Sequence, residues 1–186
     1  MIRRFVSFLL LVPTVLGAQT QQEFAARRAA VVAGMPDGVL VALGAHEPSQ
    51  DYLSFVQSPS FYYLTGFKEP DAALIVVKQG GQVASSTMFV QPRLPSREVW
   101  TGSRLGVEGV AKLTGMKARD VADLARVLDS LAKTGQPFSV VGELSPAGGG
   151  AEPSGPLATR SPDEQIFERL RAANAGLKVT PLNEAV

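Results

Sequence analysis

One histidine and no cysteine limit the chemistry open to this chain of 186 residues. His46 stands beside Glu47 with no His-x-x-x-His or Glu-x-x-His partner, so its spacing predicts a solvated loop histidine rather than a metal ligand. A Ser-His-Asp site would have to be assembled around that single imidazole, and no Gly-x-Ser-x-Gly elbow supplies the nucleophile. The lack of cysteine removes disulfides, thiol nucleophiles and thiolate metal sites together. Glu69, Asp71 and Glu98 are left for paired-carboxylate work if the fold brings them together; taken separately they read as turn-capping or solvated acids. Trp100 lies between a charged stretch and Thr101-Gly102. It reads equally well as core packing or as a rim aromatic offered to a partner. Arg97, Glu98 and Arg104 are spaced to pair with one another and fix that loop.

The elements that must position these residues follow from hydrophobic pattern and punctuation. Residues 1–18 carry a basic start (Arg3-Arg4), an apolar run over 5–16 and small residues at Gly17-Ala18, the pattern of a secretory signal peptide. That run is too short to span a membrane. The remainder, 19–186, is the size of one domain, and its near-neutral balance (net charge +1) makes no electrostatic case for nucleic acid.

A helix is expected over 21–35, burying Phe24, Val31, Val32 and Met35 and turning Arg27 and Arg28 to solvent. Strands are expected over 39–43 and 61–67, the second stopping at a turn at Gly66. A long loop over 45–60 carries an apolar patch of Tyr52, Leu53 and Phe55. Residues 72–77 form a continuous apolar run that needs cover on both faces; Lys78 and Gly80-Gly81 end it. An alternating strand over 86–90 comes next, then a short helix over 107–113 and a helix capped by Asp120 and stopped at Gly135. A strand follows over 138–141. The Gly- and Pro-rich stretch 144–159 reads as a surface loop, with no Gly-Lys-Ser/Thr to make it a phosphate cradle. Ser161-Pro162-Asp163-Glu164 opens a last helix, and 177–179 a last strand. Interleaved helices and strands make the class α/β, a sheet covered by helices.

Two motifs in order carry a resemblance. Phe61-Tyr62-Tyr63-Leu64-Thr65-Gly66-Phe67 with Glu69-Pro70-Asp71, followed by Glu98-x-Trp100-x-Gly102-x-Arg104, resembles the N-terminal domain of Xaa-Pro aminopeptidase (aminopeptidase P) in the creatinase/prolidase-like superfamily. Phe24-x-x-Arg27-Arg28 fits the same pattern. The resemblance implies a mixed β-sheet flanked by helices, RNase H-like, with no catalytic residue of its own. It further implies a C-terminal "pita-bread" domain beyond these residues. There two metal ions, usually manganese, held by two Asp, one His and two Glu, would activate water against the bond before proline.

Partners implied are peptides with proline in second position and further copies of the chain, with Trp100 reaching a neighbouring subunit's substrate pocket. Together with the signal pattern, this makes the intact protein an exported enzyme, periplasmic or extracellular, with no membrane attachment after signal removal. These residues alone are expected to be inactive. The rival expectation is a stand-alone, non-catalytic module that docks on a full-length homologue. One stretch departs from the family pattern: Phe55-Val56-Gln57-Ser58-Pro59-Ser60 replaces the Arg and acidic residues common before the aromatic motif.

Overall fold

The computed structural model describes residues 20–48, 54–141 and 162–182. The signal pattern over 1–18, Tyr52 and Leu53 of the apolar patch, the loop 144–159 and the Ser161 cap lie outside the described residues.

Helix α1 (Gln21–Gly34) opens with a capping box: Thr20 accepts from the Glu23 N–H while the Glu23 carboxylate accepts from the Thr20 N–H. It leads into β1 (Gly38–Leu43), a strand buried along its whole length. Helix α2 (Pro59–Thr65) precedes β2 (Ala73–Gln79), and the Gly80-Gly81 turn returns the chain as β3 (Gln82–Val90). Two short helices follow, α3 (Pro95–Thr101) and α4 (Gly106–Thr114), then β4 (Lys117–Asp120). A 3-10 turn over Val121–Asp123, capped by Asp120, starts α5 (Leu124–Ala132). Strand β5 (Phe138–Val141), α6 (Pro162–Ala173) and β6 (Val179–Pro181) complete the described chain.

The six strands form one mixed sheet in the order β4-β3-β2-β1-β5-β6. The pairs β1/β2 and β2/β3 are antiparallel, and the outer pairs are parallel. Strand period decides the layers. From β1, Leu40 and Ala42 face a cluster built with Val31, Val32, Phe61, Leu64 and Val110 on α1, α2 and α4. Val39, Val41 and Leu43 face the opposite cluster, with Leu124, Leu128, Phe167 and Leu170 on α5 and α6. Both faces are covered, which is why β1 and the start of β2 read as continuous apolar runs. Among the described residues no helix is long and apolar enough to cross a membrane.

Four local expectations are corrected. Residues 61–65 are helical, not extended. Pro59 occupies the first turn, Phe61, Leu64 and Thr65 are buried at helical spacing, and Gly66 ends the helix in the left-handed conformation. Aromatic content suggested a strand, but packing against α1 decided otherwise. Arg28 does not face solvent: it is 9% exposed, and its Nη1 donates to the Leu64 carbonyl at 2.9 Å, at the C-terminal end of α2. Burial lowers its pKa from the ordinary guanidinium value, yet the bonded carbonyl and the helix dipole favour the cation there. Lys78 does not end its strand; it lies buried within β2, its ammonium bonded to the carbonyls of Val32 and Ala33 in α1 and of Met35, which caps that helix. Strand β4 and helix α3 occupy stretches where the pattern placed no element.

Candidate functional site

Antiparallel pairing puts the end of β1, the start of β2 and the end of β3 at the same edge of the sheet. Asp71 is the hub there. Its backbone takes φ 53°, a left-handed conformation that Asp adopts more readily than most residues. Its N–H donates to the Ala45 carbonyl at 3.0 Å, locking β2's lead-in to the loop after β1. One carboxylate oxygen lies 2.9 Å from His46 Nδ1, and the other accepts from Gln91 Nε2 at 2.6 Å. These contacts, the hydrogen bond with His46 foremost, hold the Asp71 carboxyl below the usual range against a desolvation that pushes it up. Beneath this layer, the Gln57 carbonyl accepts from Ala45 N–H (2.6 Å) and Ser58 N–H (2.9 Å), while its amide donates to the Glu69 carbonyl (2.9 Å).

From this edge two arms reach the segment around α3. Glu47, next to His46, accepts from Arg104 Nη2 at 2.9 Å, and the Arg104 side chain is only 9% exposed. Two residues past Gln91, Arg93 grips Glu98 of α3 in a bidentate pair through Nε (3.0 Å) and Nη2 (2.7 Å). Glu98 also accepts from the Arg104 backbone N–H, and Glu69 accepts from the Leu105 N–H at 2.8 Å. Gly102 sits at φ 79°, a conformation glycine supplies at least cost as the chain leaves α3. On this braced helix Val99 is 78% and Trp100 88% exposed.

The structure therefore sorts the residues singled out in the sequence. His46 is not merely solvated, since it meets Asp71. Glu69, Asp71 and Glu98 share one region but work separately, on Leu105, His46 with Gln91, and Arg93. Glu98 and Arg104 do meet, through the Arg104 backbone, while their side chains pair with Arg93 and Glu47. Trp100 lies outside the core formed by the described residues. Gln57 and Gln91 were not picked out, because a lone Gln in a loop carries no pattern and their partners lie 12 and 20 residues away.

No group of three or more His, Asp or Glu able to hold a metal ion occurs among the described residues. The oxygens of Asp71 are already engaged by His46 and Gln91, so this edge does not fit a metal pair. What the arrangement can do is hold an aromatic side chain outward on a rigid, ion-paired mount.

A family model described as "Aminopeptidase P, N-terminal domain" matches residues 24–141. The chain is 37% identical over 119 residues to Xaa-Pro aminopeptidase 3 of Dictyostelium discoideum, a match covering 59% of this chain and 23% of the relative. It is 37% identical over 118 residues to Xaa-Pro aminopeptidase of Haemophilus influenzae, covering 61% and 27% respectively. The chain thus spans about a quarter of the length of these curated relatives. In three dimensions it is similar to a single-residue variant of Escherichia coli aminopeptidase P, with TM-score 0.65 and 22% identity over 89% of this chain and 37% of that one. That likeness shows the same fold, a mixed sheet flanked by helices.

Proposed function

Because the chain belongs to the aminopeptidase P N-terminal domain family, we propose that it is the oligomerisation and active-site-shaping domain of an exported, metal-dependent Xaa-Pro aminopeptidase. The observation that carries this reading is the division of labour in Glu98-x-Trp100-x-Gly102-x-Arg104. Glu98, Gly102 and Arg104 are spent on bracing the segment, while Trp100 is held 88% exposed. An indole left in water forgoes about 1.5–3 kcal/mol that covering it would provide, so a mount built to expose it points to a surface that covers it elsewhere.

In this reading the cover is the substrate pocket of a neighbouring subunit, with the domain walling that pocket so that short or extended peptides enter. By family resemblance, the metal pair, usually manganese, is assigned to the catalytic domain of the intact enzyme. The N-terminal domain does no bond breaking. Its contribution is to place an apolar wall against the peptide and exclude bulky substrates. The signal pattern of residues 1–18 supports export to the periplasm or beyond.

The test needs the catalytic half. In an oligomeric full-length enzyme carrying this domain, Trp100→Ala is expected to lower kcat/KM on Xaa-Pro peptides by about 10-fold, roughly 1.4 kcal/mol of transition-state binding. Stability should move by less than about 0.5 kcal/mol, as for an exposed site. Unchanged turnover would return Trp100 to an ordinary surface side chain.

A further inference from the structure

Cover on the two halves of one sheet face is unequal. Under α5 and α6, Val39, Val41 and Val140 of β1 and β5 are fully buried. Farther along β2 and β3, Val77, Ser85 and Thr87 are only half-buried, and a cleft of about 190 Å³ opens between these strands and α5. Register decides its lining. Ile75 stands opposite Thr87 and Val77 opposite Ser85 on the antiparallel pair, while Lys117 and Arg119 of β4 stand beside Thr87 and Phe89. Ile75, Val77 and Phe89 give an apolar floor, and Val127 and Leu131 of α5 an apolar roof. Period-two alternation on a covered face calls for apolar residues, yet Ser85 and Thr87 set two hydroxyls into that floor. The Arg119 guanidinium lines the β4 side.

Charge at this cleft is unbalanced. Arg119 Nη2 donates to one Asp123 oxygen at 2.7 Å, and Arg126 takes the other at 2.8 Å, so a single carboxylate serves two guanidiniums. Lys117, exposed on the same face, adds a further positive charge. A guanidinium carries five N–H donors, so Arg119 engaged at Nη2 keeps donors for a second anion, and at 41% exposure its side chain can be reached from solvent. We propose that the cleft binds a small aliphatic monocarboxylate, its charge on Arg119 and the Thr87 hydroxyl and its tail between floor and roof. An inorganic anion would leave the apolar walls in water, and a plain hydrocarbon would leave the guanidinium and hydroxyls unserved. Size follows from volume: at roughly 30 Å³ per water-sized group, the cleft takes about six to eight heavy atoms. A free short-chain acid and the carboxyl end of a peptide with an aliphatic last residue share this chemistry. The cleft shares no residue with the contacts that brace Trp100 and does not depend on the role proposed for it.

The test is an NMR titration of the isotope-labelled 186-residue chain with hexanoate. Amide signals of Ser85, Thr87, Arg119 and Val127 are expected to move together along one saturating curve, with a Kd of about 1 mM for so small a ligand. Hexanamide, which has the same length and no charge, should bind roughly 10-fold more weakly, and Arg119→Gln should weaken hexanoate by about the same factor. Thr87→Val, which keeps the β-branched shape on the strand, should cost about 3-fold, so that lost binding is not mistaken for a lost fold. N-acetyl-leucine separates the two sources: tighter binding than hexanoate assigns the cleft to a peptide end, weaker binding to a free acid. Signals that stay still up to about 20 mM hexanoate, or that move all over the surface, would overturn the site. So would equal binding of hexanamide, or hexanoate affinity unchanged in both variants.

Discussion

Gly66→Ala is expected to destabilise the chain by about 2–5 kcal/mol, the sum of left-handed backbone strain and overpacking. Gly66 ends α2 at φ 65°, and a Cβ there would overlap the ring of Phe24. That ring cannot step aside cheaply. It is 3% exposed, packs edge-on against Tyr62 with centroids 5.8 Å apart, and lies under the Arg27 guanidinium. Gly80→Ala is the control. It shares the positive φ (60°) but has open space around the new Cβ, so it should cost only about 1–2 kcal/mol. Denaturant unfolding of both variants separates strain from overlap; equal losses would show that the Phe24 contact is not what demands glycine.

Lys78→Met is expected to cost about 2–4 kcal/mol, as charge-assisted bonds are lost and helix carbonyls are left buried without donors. The Lys78 ammonium donates to Val32 O at 2.8 Å, Ala33 O at 3.2 Å and Met35 O at 2.6 Å. It meets the negative end of α1, whose last turn has no basic residue of its own. Methionine keeps the aliphatic stem's packing and removes only the charge and the donors. A melting temperature lower by roughly 5–15 °C, with faster amide exchange at the end of α1, is the expected signature for a domain of this size. A shift of a degree or less would mean that water replaces the ammonium without loss.

These two residues show what a linear reading can and cannot reach. Gly66 was seen as a stop from its neighbours alone, and the buried runs of β1 and β2 were plain because strands covered on both faces must be apolar throughout. The helical character of α2 was also written locally, in Pro59 and the spacing of Phe61, Leu64 and Thr65, but aromatic content outweighed it. Lys78 and Arg28 misled for a different reason. Each is a charged residue that looks solvent-bound in sequence, and each reaches a helix end supplied by a segment at least 36 residues away. Strand β4, Lys-Ala-Arg-Asp, lies at the sheet's edge and is only half-buried, so it lacks the alternation that marks a strand. At the candidate site the motif from Glu98 to Arg104 was legible as unusual, whereas its bracing through Arg93, Glu47 and Gln91 depended on antiparallel pairing that brings three loops to one edge.

The proposed role of this chain is to shape a site whose catalysis lies elsewhere in the intact enzyme. Its most direct test is to incubate the purified 186-residue chain with a Xaa-Pro peptide and added manganese, and to follow release of the N-terminal residue. The account predicts no release above the metal-only blank. Metal-dependent release that scales with chain concentration would contradict it.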